Sequence, residues 1–192
     1  MSPILQTFAN GSAYGYRTLT SAAAGNFESI TSSSGGSSSI TFSSIPQTYK
    51  HLQIRFHLFS GQSYAPFLRV NGATSGYAYH LIEGQWNGSA NNVYSYGYAT
   101  PNSSIGIADS IGLDSTYPTV GIIDINDYTA SSKNPTIRYF SGQNTNSTGY
   151  NWIQIGSGLY TTAGAVTSLT LFIGGNTFTG ESKVGLFGIK GA

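Results

Sequence analysis

The 192-residue sequence contains no cysteine, and only 8% of its residues are charged. The lack of cysteine excludes disulfides, thiolate nucleophiles and cysteine-ligated metals. Average soluble domains are about one-quarter charged, so this chain has few groups for acid–base or metal chemistry. The formal net charge of +1 gives no basic field for nucleic acid or an anionic membrane. These absences favour a structural or binding protein over an enzyme.

Long apolar runs are also missing. No stretch approaches the ~18 residues that a membrane-crossing helix needs. The start, Met1 to Asn10, lacks the basic and apolar regions of a secretory signal. We therefore expect no membrane partner, and synthesis in a cytoplasm without export by that route.

The sequence is rich in small polar residues, with 25 glycines and 14 tyrosines. From Phe27 onward, short apolar runs alternate with turn residues, and no stretch shows sustained helical periodicity. This pattern predicts an all-β fold: one antiparallel β-sandwich domain over 27–192, with strands in jelly-roll-like or related Greek-key order. The length suits a single large sandwich.

The predicted strands have alternating or continuously apolar side chains. In His51–Phe59 the alternation predicts one buried face, whereas Val120, Ile122, Ile123 and Ile125 suggest a strand buried on both faces. Glycine-containing turns at 33–37 and 71–72 are each expected to form a hairpin, and residues 174–176 are expected to connect the last two strands. The full set is Asn26–Ser32, Ser38–Ser43, His51–Phe59, Pro66–Val70, Tyr77–Ile82, Val93–Tyr98, Ser104–Ala108, Thr119–Asn126, Thr136–Ser141, Trp152–Ile155, Ser168–Ile173 and Val184–Ile189.

Residues 1–26 differ from the rest in being rich in alanine, serine and glycine. One interpretation is an extended N-terminal arm that adds to its own sheet or wraps a neighbour, because Ile4, Leu5 and Phe8 need burial. The other is a disordered terminus. Both interpretations stay open.

Chemical sites find little support in the sequence. His51 and His57 lie about 20 Å apart along one strand face, too far to share a metal, and no zinc-binding spacing occurs. The cluster Asp124, Asn126 and Asp127 and the pair Asp109 and Asp114 do not match a calcium loop. Asp124 and Asp127 are more often residues that close turns. No nucleophile elbow is present. We predict no catalytic residue, no metal site and no cofactor.

Aromatic side chains are the stronger candidates for binding. Tyr94, Tyr96 and Tyr98 recur with a period of two and share one strand face, where they could form core, a protein interface or a stacking surface for sugars. Core or interface is favoured over sugar. With the apolar residues of the N-terminal segment, the predicted interface set is Ile4, Leu5, Phe8, Tyr14, Tyr16, Trp86, Tyr94, Tyr96, Tyr98 and Trp152.

Several segments together resemble small virion structural proteins of tailed bacteriophages, notably those that infect cyanobacteria and marine bacteria. They are Ile45–Arg55, Phe67–Gly72, Tyr77–Leu81, and an ending that runs from Ser168–Ile173 to Leu186–Gly191. The resemblance covers most of 27–192. It implies a β-sandwich in a capsid decoration (cement) protein or in part of a tail fibre, and it carries no catalytic motif.

The expected function is therefore a non-enzymatic virion component, made in the host bacterial cytoplasm, that oligomerises as a homotrimer and stabilises the head shell as a cement protein. The trimer is implied by the resemblance and by the threefold positions of icosahedral shells. Expected partners are the chain itself and the major capsid protein or other virion proteins. The alternative is a tail-fibre or receptor-binding module that recognises host surface polysaccharide. A hydrolase that uses Asp124 or Asp127 is a third, weakly supported option.

Overall fold

The computed structural model describes residues 26–108, 113–146 and 150–191. In these ranges the chain forms strands β1 (Phe27–Ser34), β2 (Ser39–Phe42), β3 (His51–Leu58), β4 (Pro66–Val70), β5 (Tyr77–Asn87), β6 (Asn91–Asn102), β7 (Ile105–Gly106), β8 (Thr119–Asn126), β9 (Thr136–Asn144), β10 (Tyr150–Tyr160), β11 (Leu169–Ile173) and β12 (Lys183–Ile189). Within them, no helix is long and apolar enough to span a bilayer.

The strands form two antiparallel sheets. The large sheet has the order β1-β12-β3-β8-β9-β10-β5-β6, and the small sheet has the order β2-β11-β4-β7. The predicted all-β antiparallel class is confirmed. The jelly-roll order is not confirmed and stays a prediction. Of the predicted N-terminal arm, only Asn26 lies within the described residues, and its carbonyl accepts a hydrogen bond from the backbone N–H of Lys190 at 2.9 Å.

The core lies between the two sheets, where their inner faces meet. Strand β3 illustrates how one face of a strand joins the core. Its apolar side chains alternate with polar ones, and all four are buried in the same cluster: Leu52, Ile54, Phe56 and Leu58. The small sheet contributes Ile40, Leu68, Leu171 and other apolar side chains to the same cluster. Only one face of each sheet is needed to form this core.

The two predicted hairpins, at 33–37 and 71–72, are wrong. Strands β1 and β2, β4 and β5, and β11 and β12 each follow one another in the chain, but the two members of each pair belong to different sheets. The turns themselves exist: Asn71 and Gly72 both have left-handed φ angles, of 52° and 68°. These connections pass from one sheet to the other, and hydrophobic alternation carries no information on which sheet a strand joins.

Candidate functional site

The outer face of the large sheet carries an uninterrupted group of exposed apolar side chains. We call it the outer apolar patch, and it consists of Ile82, Val93, Val120, Ile122, Phe140, Ile153 and Ile155. Val93 is 80% exposed, Ile155 57% and Phe140 47%. Single exposed apolar residues are ordinary, whereas contiguous exposed apolar groups are uncommon on monomeric proteins and often belong to interaction surfaces.

Strand register explains why these side chains meet. Ile82 of β5 lies opposite Ile155 of β10, which lies opposite Phe140 of β9, which lies opposite Ile122 of β8. Directly opposed residues in a sheet point to the same face. The four side chains therefore form one apolar row across four strands.

Glycines shape a groove beside this row. In the next row of the same face, Gly84 and Gly142 alternate with the patch members Val93, Ile153 and Val120. Because a glycine adds no side chain, the surface dips between the branched residues. The result is an open groove of about 980 Å³, with Trp86, Val93, Ile122, Phe140 and Ile153 among its lining residues.

Polar groups lie only at the borders of the patch. On one side, Asp124 lies opposite Arg138 and accepts a hydrogen bond from Gln53 Nε2 at 2.8 Å. On the other side are asparagines, including Asn91 and Asn151, which are the register partners of Trp86. The centre of the patch is uncharged, so a partner can bury it without desolvating an ion.

The burial predicted for β8 on both faces is wrong. Ile123 and Ile125 are fully buried in the core, but Val120 is 48% exposed and Ile122 37% exposed, as patch members. A run of isoleucine and valine is typical of a strand covered on both sides. Here no second layer covers the outer face among the described residues. The sequence shows that these side chains are apolar but not whether another layer of the protein covers them.

The predicted tyrosine row lies on the inner face of the large sheet. Tyr94, Tyr96 and Tyr98 are between 36% and 43% exposed. The small sheet ends at β7, where Gly106 lies against the Tyr79 phenol of β5, and β6 extends one strand further out. The row is therefore an uncovered end of the core layer, on the opposite face from the patch.

Ring geometry limits what this row can bind. The rings of Tyr94 and Tyr96 are stacked, with centroids 5.9 Å apart, and Tyr98 stacks on Tyr79 at 4.4 Å. Their aromatic faces are turned largely toward one another. A sugar stacks on an exposed aromatic face, so this arrangement favours a structural role for the row.

The two predicted tryptophans differ in position. Trp86 is half-buried at the border of the outer apolar patch. Trp152 is only 4% exposed and its indole N–H has no hydrogen-bond partner among the described residues, so it packs inside rather than offering a binding surface. The other predicted interface residues, Ile4, Leu5, Phe8, Tyr14 and Tyr16, lie outside the described residues.

The buried carboxylate of Glu83 was not predicted from the sequence. Glu83 of β5 is 3% exposed and accepts hydrogen bonds from the side-chain amides of Gln85 and Gln154. Burial, and the nearby Tyr79 and Glu83, raise the pKa of the Tyr139 phenol far above its usual range. This polar cluster holds one carboxylate, whereas glycoside hydrolysis uses two. The outward alternation of its neighbours His80 and Ile82 was the only signal that could have placed Glu83 inside.

The predicted titratable residues serve local structure. Asp114 caps a turn by accepting hydrogen bonds from the backbone N–H groups of Thr116 and Tyr117. The turn role predicted for Asp124 is wrong, because it lies within β8, and Asp109 lies outside the described residues. In the described part of the chain, no three His, Asp or Glu side chains come together as a metal site.

Asp127 follows β8 and makes ion pairs. Lys50 Nζ lies 2.9 Å from its carboxylate, and a hydrogen bond from Lys50 lowers the pKa of Asp127 below its usual range. His51 Nδ1 accepts the backbone N–H of Asp127 at 3.0 Å. These contacts hold the end of β8 against the start of β3.

Comparison with known proteins returns no match: no protein-family model, no curated protein and no solved structure is similar to this chain.

Proposed function

We propose that this chain is a non-enzymatic structural protein of a bacteriophage virion, a decoration (cement) protein that binds the head shell and associates with copies of itself. The observation that carries the proposal is the outer apolar patch, an uncharged surface that extends over five strands of the large sheet. The low charge of the chain agrees with it, since a formal net charge of +1 gives little repulsion between like subunits. The virion setting and the homotrimer come from the sequence resemblance.

The patch has apolar surface that a partner could still bury. Full burial of a large apolar side chain is worth about 1.5–3 kcal/mol. The patch residues are roughly half exposed, so each has roughly 1 kcal/mol still to gain on docking. The summed free-energy gain of the seven residues exceeds the lower estimates of the entropy cost of association but not the higher estimates. Repetition over a symmetric lattice then adds avidity.

The alternative, a tail-fibre module that recognises host polysaccharide, has weaker support. Its best candidate surface is the row Tyr94, Tyr96 and Tyr98, in which Tyr94 stacks on Tyr96 and Tyr98 stacks on Tyr79. Aromatic sugar sites present ring faces to solvent. Specific binding on a glycan array that is lost in Tyr96→Ala would favour this alternative over the decoration role.

The decoration role is tested by adding purified protein to phage particles that lack it and measuring co-sedimentation. Phe140→Glu places a charge in the centre of the patch, and we expect it to reduce attachment at least tenfold. Phe172→Glu is the matched control, because Phe172 lies on the outer face of the small sheet, stacked on Phe67 at 5.5 Å. Equal attachment of both variants would contradict a docking role for the patch.

A further inference from the structure

The outer apolar patch is continuous with the place where residues 1–25 join the fold. Phe27, the first residue of β1, is 41% exposed on the outer face and stacks on Phe187 of β12 at 4.9 Å. The Arg55 guanidinium lies 4.8 Å from the centre of the Phe27 ring. Arg55 is in turn the register partner of Ile122, a patch member. Two stacked phenylalanine rings and the Arg55 side chain thus connect the start of β1 to the patch.

The preceding segment is long enough to cross the patch. Six strand-to-strand steps separate β1 from β5, which corresponds to about 29 Å at ~4.8 Å per step. The row that contains Ile82 lies five residues along β1 from Phe27, at Ser32, or about 17 Å. The straight distance is therefore roughly 33 Å, which about ten extended residues can span. Residues 1–25 can cover it and still include a turn.

The composition of this segment matches the patch. Its apolar side chains include Ile4, Leu5, Phe8, Tyr14 and Tyr16, and its single charged side chain is Arg17. The centre of the patch is uncharged as well, so contact between them buries no ion. Covalent attachment gives the segment an effective concentration in the millimolar range, so weak contacts are sufficient.

We propose that residues 1–25 lie across the outer apolar patch of their own chain and cover it in the isolated protein. This inference rests on the proposed function. It adds that residues 1–25 occupy the docking surface before a partner binds. Covering keeps a nearly neutral protein with an apolar sheet face from associating prematurely. The segment and a partner therefore compete for one surface.

Photo-cross-linking of the full chain tests this directly. The photoreactive residue p-benzoylphenylalanine replaces Phe140 in the patch or, as the matched control, Phe172 on the opposite outer face. After irradiation of a dilute sample, tryptic digestion releases residues 1–17 as one peptide, because Arg17 is the first cleavage site. We expect the probe at position 140 to attach to peptides of residues 1–25 and the probe at position 172 not to do so.

An equal mixture of chains labelled with ¹⁴N and ¹⁵N identifies the donor of the segment. Products within one isotope support the proposal, and mixed products would overturn it by showing a neighbour's segment or sheet on the patch. Absence of any product with residues 1–25 would also overturn it. The co-sedimentation assay tests the proposed function independently of the cross-linking. If cross-links form within one chain but Phe140→Glu attaches to phage particles as well as the natural protein does, the proposed function is rejected and this inference is kept.

Discussion

A double-mutant cycle between the outer apolar patch and residues 1–25 measures how strongly the two interact. The patch change is Phe140→Ala. The segment change replaces Ile4, Leu5, Phe8, Tyr14 and Tyr16 by serine, which keeps the chain length. Phe140 is 47% exposed in the sheet. Full burial of a phenylalanine is worth about 2 kcal/mol, so covering its exposed half adds about 1 kcal/mol.

We therefore expect Phe140→Ala to lower the free energy of unfolding by about 2 kcal/mol in the natural chain and by about 1 kcal/mol in the segment variant. The difference, about 1 kcal/mol, is the coupling energy. Urea unfolding followed by tryptophan fluorescence measures all four proteins. Phe172→Ala supplies a second cycle on the opposite face, with an expected coupling near zero. Additivity of Phe140→Ala with the segment variant would refute the covering of the patch.

Three further predictions concern the fold. Tyr77→Phe should lower the free energy of unfolding by about 1–3 kcal/mol in a urea titration, because the buried Tyr77 hydroxyl accepts a hydrogen bond from the Val70 N–H at 2.8 Å. The control Tyr160→Phe keeps the ring that stacks on Tyr77 and should change the free energy of unfolding little. Equal effects of the two substitutions would contradict this prediction. Tyr139→Phe should leave the melting temperature unchanged or raise it, since the buried Tyr139 hydroxyl has no hydrogen-bond partner among the described residues; a clear fall would contradict it. Glu28 accepts a hydrogen bond from Lys190 at 2.6 Å, which lowers the pKa of Glu28 below its ordinary value of 4.5. The stability that ionised Glu28 contributes is present above that value and is lost as the pH falls through the lower pKa of the folded state. Glu28→Gln should therefore reduce the loss of stability in acid, and an unchanged dependence of stability on acid pH would contradict this.

The strands were predictable because their pattern is local. Alternation in His51–Leu58 and the apolar residues of Leu169–Ile173 identify strands without any knowledge of their partners. The predictions for β6 and β10 were too short. Their flanks contain asparagine, glycine and tyrosine, which look like loops, yet both strands pair with β5 over most of its length. Pairing with a neighbour can extend a strand through residues of low intrinsic propensity.

The candidate site was much harder to find from sequence. Val120 and Ile122 are indistinguishable by residue type from the buried Ile123 and Ile125 on the same strand. Only the strand order shows that Ile122, Phe140 and Ile155 lie in one row and that the small sheet covers the other face. The tyrosine row was placed correctly on one strand face. Its position beyond the edge of the small sheet depends on how far that sheet extends, which is a property of the whole fold.

The number of copies per particle tests the central proposal most directly. Quantitative mass spectrometry of purified virions measures this chain relative to the major capsid protein. A decoration protein predicts on the order of hundreds of copies in fixed ratio to the shell subunit. A few copies per particle would contradict decoration of the shell and favour a tail location, and absence from the particle would contradict a virion role altogether.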